Sequence, residues 1–330
     1  MRAVVCETLG TPDTLVLRTD WPEPEPGPGQ VKVRLLARAV QYVDVLMVAG
    51  QYQTKPPVPF IPGGEAAGEV VALGEGVTGF SVGDMVMSRH SPSGAFAEFG
   101  VSPADQTMLI PEGMDVQAAA GFRSAYSTAY HALVQRGQIR KGETLLVHGA
   151  AGGIGLAAVQ VGKALGATVI GAASTEAKRA VVLENGADHV IGYDPIVDGR
   201  GTFRDKVKEL TGGRGADVVY DPVGDWVFEE SMRCLNWGAR ILILGFLGGG
   251  PAMARTNHLL IKGASAVGVR LGGFVEAEPE TAAENLRVLA DWASKGLIKP
   301  YVSHVLPLEK AAEALQLLVD RKVIGKAILA

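Results

Sequence analysis

Cysteine is nearly absent from this chain of 330 residues, which contains only Cys6 and Cys234. Two distant thiols form neither a disulfide framework nor a four-cysteine zinc lobe, and they suit a reducing compartment. Long apolar runs are missing too. No stretch approaches the ~20 consecutive apolar residues that cross a bilayer, so no membrane span is expected. Met1–Gly10 reads as a short strand and turn with no cleavable leader, and with the acidic isoelectric point it gives the cytoplasm as the expected location. Nor is there an excess of cations: 31 Lys and Arg stand against 35 Asp and Glu, interspersed, for a net charge of −4. Phosphate-backbone binding needs a clustered cationic footprint, so no nucleic-acid partner is expected. The six histidines, His90, His131, His148, His189, His258 and His304, are scattered and never fall at a metal-binding spacing. A catalytic zinc needs about three protein ligands and an open position, so no metal is expected.

What is present points to two domains. The length is too great for one ordinary core, and 47% hydrophobic with 20% charged residues is the balance of a globular protein. Residues 1–120 are rich in Val, Gly and Pro, with strands expected at Gln30–Val40 and Gly68–Gly74. The proline-rich Trp21–Gly29 reads as an extended surface connector, since its acids do not suit an aromatic-groove ligand. From Gly121 onward, short apolar runs alternate with helical patterns. Strands are expected at Thr144–His148, Thr168–Ala172, Ala187–Ile191, Ala216–Tyr220 and Arg240–Leu244. Helices are expected at Ile154–Leu165, Glu176–Glu184, Phe203–Leu210 and Trp226–Leu235. This alternation predicts βαβ units and a doubly wound parallel sheet, an α/β fold. Runs such as Leu145-Leu146-Val147 suit strands covered on both faces. Two amphipathic helices, Pro279–Lys295 and Leu308–Arg321, bracket an extended Lys299–Leu306, and a strand Lys326–Leu329 ends the chain. This tail is expected to return to the first domain, giving a discontinuous domain of residues 1–121 and 270–330 around one of 122–269.

The strongest chemical signal is Val147-His148-Gly149-Ala150-Ala151-Gly152-Gly153-Ile154-Gly155, entered by a strand and left by a helix. That context is what gives a glycine pattern its meaning. Gly152 lets the backbone approach a pyrophosphate, and Gly155 lets the helix pack closely on the strand. The helix start then offers unpaired N–H groups and a positive dipole end to phosphate. One more absence chooses between cofactors. An NAD site wants an acid at the end of the second strand, but here Ala173-Ser174-Thr175 follows, with Lys178 one turn later. A cation stands where a 2′-phosphate would be met, which predicts NADPH.

These residues resemble the quinone oxidoreductase branch, including zeta-crystallin, of the medium-chain dehydrogenase/reductase superfamily. The resemblance is carried by Val40-Gln41-Tyr42-Val43-Asp44, Gly50-Gln51-Tyr52, Pro62-Gly63-Gly64-Glu65-Ala66-Ala67-Gly68 and Val82-Gly83-Asp84. It continues through Thr128-Ala129-Tyr130, the glycine loop, Asp221-Pro222-Val223-Gly224 and Gly325-Lys326. It implies a Rossmann NADPH-binding domain joined to a GroES-like, mainly β catalytic domain, and a homodimer or homotetramer. By the same resemblance, Ser174, Lys178 and Tyr193 surround the 2′-phosphate. Val223, Gly245, Phe246 and Val269 hold the nicotinamide side, and Asp44 and Lys326 also meet the cofactor. Zinc alcohol dehydrogenases of the superfamily place Cys where Gln41 stands and His where Gly64 stands, and neither residue here ligates zinc.

Hydride transfer without a metal suits an acceptor that is already electrophilic. The expected activity is NADPH-dependent reduction of a quinone, with reduction of an enone or acyl thioester as the alternative and non-catalytic NADPH binding as a third reading. The groups expected at the acceptor are the Gln41 amide, the Tyr52 hydroxyl and the Thr128 hydroxyl, which orient it and stabilise a developing oxyanion. Asp44 is equally suited to a buried structural hydrogen bond. Gln41 replaces the usual Asn of the branch and reaches one methylene further. Lys55, Arg89 and Arg123 read as solvated charges.

Overall fold

The computed structural model describes residues 1–90, 94–193 and 203–330 and divides into two compact units, Met1–Ser124 with Lys299–Ala330 and Ala125–Ile298. The first unit opens with β1 (Ala3–Cys6), β2 (Leu15–Arg18), β3 (Gln30–Val40), β4 (Glu65–Leu73), β5 (Met85–Arg89), β6 (Phe99–Pro103) and β7 (Thr107–Leu109). The second carries β8 (Thr144–Val147), β9 (Thr168–Ala172), β10 (His189–Ile191), β11 (Ala216–Asp221), β12 (Leu235–Ile243) and β13 (Ser265–Gly268). The first unit is then completed by β14 (Val302–Leu306) and β15 (Lys326–Leu329).

In the first unit, β3 is the long central strand. Its alternating Val31, Val33, Leu35, Ala37 and Ala39 are buried, the period-2 signature of a strand with one face on a core. The sheet order is β14-β15-β3-β4-β5-β7, with β6 also on β3. Register decides what meets at the end of β3. The antiparallel pairing of Ala327 with Val40 brings Lys326 to Gln41, and that of Ala66 with Arg38 brings Glu65 to the same end. A short helix, Tyr42–Val48, begins there. The connector before β3 is extended, and its Glu23 and Glu25 carboxylates both pair with Lys32 Nζ, at 2.7 and 3.0 Å.

All strand pairs of the second unit are parallel, in the order β10-β9-β8-β11-β12-β13. This is the doubly wound order, with its switch point between β8 and β11. Thr144–Val147 is buried throughout, as a strand covered on both faces must be.

Several observed elements differ in extent from the expected ones, β12 among them, which begins at Leu235 and not at Arg240. The helix expected over Trp226–Leu235 is Asp225–Ser231, and Leu235 already belongs to β12. Ala216 N–H donates to Cys234 O and pairs with Leu235, which draws that segment into the sheet. The helix expected from Leu308 runs over Ala311–Val319 after a 3-10 turn at Leu308–Lys310. The first unit resumes at Lys299 rather than at 270. Helices Leu271–Ala277 and Pro279–Ser294 stay with the second unit, held by stacking of His131 on Phe274 (4.0 Å), an edge contact of Tyr130 with Trp292 (5.6 Å) and a bond from Gln135 Nε2 to Asn285 Oδ1 (3.1 Å). Among the described residues no helix is long and apolar enough to cross a membrane.

Candidate functional site

The glycine loop joins β8 to the helix Gly153–Ala164, at the carboxyl edge of the parallel sheet. Gly149 has φ +57°, and its carbonyl accepts from Gly152 N–H at 2.9 Å. A Cβ on Gly155 would lie 2.2 Å from that same carbonyl oxygen, so only glycine lets the helix start so close to the turn. Gly152 is the N-cap and has no side chain with which to cap. The helices at Val116 and Glu176 are capped instead by Asp115 and Thr175, which accept from the backbone N–H three residues on. Ala151 and Gly155 are buried, Gly152 is exposed, and Gly153 and Ile154 are half-exposed. The result is an accessible, uncapped helix N-terminus, which is an anion site by geometry and by dipole.

Around it stand the ends of the neighbouring strands. β9 runs out into the exposed Ser174, and Lys178 is half-buried in the first turn of the next helix. Arg179, which the sequence reading overlooked, donates from Nη1 to Ala173 O at 3.2 Å and brings a second cation to this strand end. After β11, Asp221 Oδ1 accepts from Val223 N–H (2.8 Å) and Gly224 N–H (3.0 Å), closing a turn. After β12, Gly245 and the exposed Phe246 lead to Leu247 and Gly248, whose N–H groups bond to Pro222 O and Val223 O. Val269 N–H donates to Ile243 O at 2.9 Å. The structure thus gathers Ala151–Gly155, Val223, Gly245, Phe246 and Val269 at one edge of one sheet. Tyr193 differs from expectation: its hydroxyl is turned into the protein and accepts from Gly149 N–H at 2.8 Å.

The first unit carries a charged cluster at the end of β3. Gln41 caps the helix Tyr42–Val48, and its N–H donates to Asp44 Oδ2 at 2.8 Å. Gln41 Nε2 donates to Glu65 Oε2 at 2.6 Å, while Glu65 Oε1 accepts from Ser124 N–H at 2.5 Å. Asp44, Glu65 and Lys326 are all buried. Burial pushes the Asp44 carboxyl up to about 7, against the backbone N–H groups of Gln41 and Gly63; Glu65 pushes it further and Lys326 pulls it back. Glu65 is raised by burial and opposed by Lys326, and Lys326 is lowered by burial and opposed by both carboxylates. Asp44 therefore acts on Gln41, and as a fully buried group it offers no surface to a cofactor. Tyr52 packs its ring against the core of this unit. Thr128 is half-buried on the helix Arg123–Tyr130. Arg123 is no solvated charge: burial lowers it, and its Nη1 donates to Gln106 O. Glu65 stands in the Pro62–Gly68 motif, but its bond to Gln41 follows from strand register and not from that motif.

Comparison with known proteins agrees with this geometry. Residues 27–112 match the alcohol dehydrogenase GroES-like domain, and residues 153–290 match the zinc-binding dehydrogenase family. The chain is 37% identical to a quinone oxidoreductase-like protein 2 homolog of Nematostella vectensis, over 99% of this chain and 88% of that one. It is also 32% identical to quinone oxidoreductase of Homo sapiens, over 100% and 97%.

The chain belongs to the quinone oxidoreductase branch of the medium-chain dehydrogenase/reductase superfamily.

Its fold is likewise that of the crystal structure of Escherichia coli quinone oxidoreductase complexed with NADPH, with a TM-score of 0.89 at 29% identity over 100% and 99% of the two chains. A Rossmann-like parallel sheet and a GroES-like, mainly β domain are thus both present in this member. Gln41 directs its amide N–H at Glu65, Gly64 has no side chain, and a buried ammonium, Lys326, already balances the carboxylates. Among the described residues no group of three or more His, Cys, Asp or Glu side chains is placed to hold a metal ion.

Proposed function

We propose that this protein binds NADPH on its second unit and reduces a quinone without a metal, as a homodimer or homotetramer. The observation that carries this reading is the accessible, uncapped helix start at Gly152–Ile154, beside a strand end that presents Ser174, Lys178 and Arg179 where an NAD site would carry an acid. The residues fit the cofactor: the backbone N–H groups after Gly152 take the pyrophosphate, and Ser174 and Lys178 take the 2′-phosphate. Val223, Gly245, Phe246 and Val269 would flank the nicotinamide side. When bound, NADPH supplies the hydride.

Gln41 and Tyr52, both of the first unit, are the groups we assign to the acceptor. One N–H of the Gln41 amide is held by Glu65, which fixes the amide plane and leaves the second N–H as a donor. A fixed donor meets developing negative charge without having to reorganise. The Tyr52 hydroxyl is a second donor for the acceptor, and the proton comes from solvent.

The test follows NADPH absorbance with the purified protein against 9,10-phenanthrenequinone, 1,4-benzoquinone, an enone, and crotonyl- and acryloyl-CoA, with and without chelator. Turnover on quinones that ignores chelator is the expected result. Turnover confined to the enone or thioesters would replace the quinone with an activated double bond. Loss on chelation would overturn the metal-free reading. Tight NADPH binding without turnover would leave a non-catalytic binding protein.

A further inference from the structure

Register in the first unit lays a row of residues across the strand ends beside Gln41. The order β15-β3-β4-β5-β7 and its pairings set Lys326, Gln41, Glu65, Arg89 and Gln106 next to one another along that row. Arg89 is paired directly with Glu65 across β4 and β5, so the two side chains leave the sheet on the same face. Arg123 joins the row from above: its neighbour Ser124 donates its N–H to Glu65 Oε1, and its own Nη1 donates to Gln106 O. Neither guanidinium has Glu65 to itself. Both Glu65 oxygens already accept, one from Gln41 Nε2 and one from Ser124 N–H, and Lys326 acts on the same carboxylate. Among the described residues no carboxylate forms an ion pair with Arg123, and Asp105, the weakest of the charges acting on it, is exposed to solvent. Burial lowers the Arg123 guanidinium, Glu65 pulls it back up, and Arg89 lowers it again, the mark of two like charges held close together. A guanidinium is a fork of several N–H donors, and the Gln106 bond uses one of them. A cation drawn out of water beside a second cation, with a carbonyl as its hydrogen-bond partner, is stabilised when an anion joins it.

We propose that Arg89 and Arg123 form an anion subsite for the acceptor, so that the substrate is a quinone bearing an acidic group such as a carboxylate or sulfonate. The proposal rests on the quinone reading above and names the kind of quinone. Gln41 and Arg89 end strands β3 and β5, with β4 between them. That places their backbones two strand spacings apart, about 10 Å. With side chains reaching in from both ends, the span matches a fused aromatic ring system that has its carbonyl at one end and its acidic group at the other. The Gln41 N–H takes the carbonyl oxygen, which gains charge as hydride arrives. The guanidinium forks take the acidic group, which is bound and left unchanged.

The experiment compares 9,10-phenanthrenequinone with its 3-sulfonate, which share the reacting carbonyls and differ in charge. Steady-state kcat/KM for each is measured at saturating NADPH in wild type, R123M and R89M. The ratio of sulfonate to parent quinone cancels any effect of a variant on the dinucleotide. We expect R123M to lower that ratio about 10-fold, through KM for the sulfonate, and to leave the parent quinone within about 2-fold of wild type. R89M should lower it about 3-fold. The wild-type ratio should fall as salt is raised, and that of R123M should respond less. A ratio that neither variant changes would overturn the proposal. Equal losses on both quinones would overturn it too, because the guanidinium groups would then be scaffold. Should R123M fail to fold, R89M carries the same test from a different strand. Wild type that reduces only the parent quinone would keep the quinone reading and sink the subsite. Wild type that reduces neither would sink the quinone reading itself, and the subsite with it.

Discussion

The two functional regions are built from opposite materials. The glycine loop of the second unit works through backbone: its ligand-facing groups are N–H donors, its critical residues have no side chains, and the side chains beneath it are neutral and fully bonded. The end of β3 in the first unit works through charge: two buried carboxylates, one buried ammonium and an amide held between them. A backbone site is assembled by nearby residues, 147 to 155, and is fixed by steric fit. A charge cluster is assembled by strand register from residues 41, 44, 65 and 326, and is fixed by mutual compensation. The two should therefore fail differently, the first by overpacking and the second by loss of charge balance.

Removing the cation tests the second mode and should have the largest effect. Lys326→Met keeps length and apolar volume but removes the one cation that acts on both buried carboxylates, leaving Glu65 only Arg123 and Arg89. Breaking a buried ionic group by deleting one partner costs about 3–5 kcal/mol, measured as the loss in unfolding free energy near neutral pH. Its sign with pH is fixed. Asp44 stands at about 7 folded against an ordinary 3.8, and loss of Lys326 raises it and Glu65 further. The folded state then binds more protons than the unfolded one, so stability is regained as pH falls from above 7 toward 4. Denaturant melts at several pH values should show the deficit shrinking in acid; a deficit independent of pH would mean that Lys326 contributes by packing alone.

Gly155→Ala tests the first mode. Its Cβ would lie 2.2 Å from Gly149 O, whereas one on Gly152 would lie 3.3 Å from the same atom. Overpacking of this kind costs about 1–3 kcal/mol, which we expect as a 10- to 100-fold loss of NADPH affinity when the turn yields and the helix start shifts. Gly152→Ala should lose much less. Equal behaviour of the two variants in a binding titration would remove the steric argument for the loop, and acid should rescue neither.

The same contrast explains what could be read from sequence. The strands β3, β9 and β15 and the helices at Glu176 and Phe203 stand where periodicity puts them, because local pattern and burial agree there. The glycine loop was legible for the same reason: a turn and a helix start are local events. The Glu65 bond to Gln41 and the approach of Lys326 were not, since they depend on which residue of β3 faces which residue of β4 and β15. Helix Asp225–Ser231 is shorter than the Trp226–Leu235 that its apolar spacing predicts, because the hydrogen bond from Ala216 to Cys234 O, a nonlocal pairing, draws the following residues into the sheet. Tyr193 shows the limit most sharply. Its position beside the loop follows from the chain, but the direction of its hydroxyl is decided by Gly149 and His148, more than 40 residues earlier.

The smallest expected effect falls between the two modes, where a side-chain charge supplements the backbone site. Lys178 lies in the first turn of its helix, and its backbone N–H takes the Thr175 hydroxyl at 3.3 Å. Lys178→Ala keeps that cap and removes the ammonium together with its stem. A charge-assisted contact to phosphate at a partly solvated site is worth about a factor of 10. NADPH should therefore weaken by about that much while NADH is unchanged, and the loss should diminish at high salt. Arg179, anchored on Ala173 O, remains to hold part of the preference, which keeps the effect small. If Lys178→Ala weakened both dinucleotides alike, the residue would belong with the loop's scaffold. The choice of NADPH would then rest on Arg179 and Ser174.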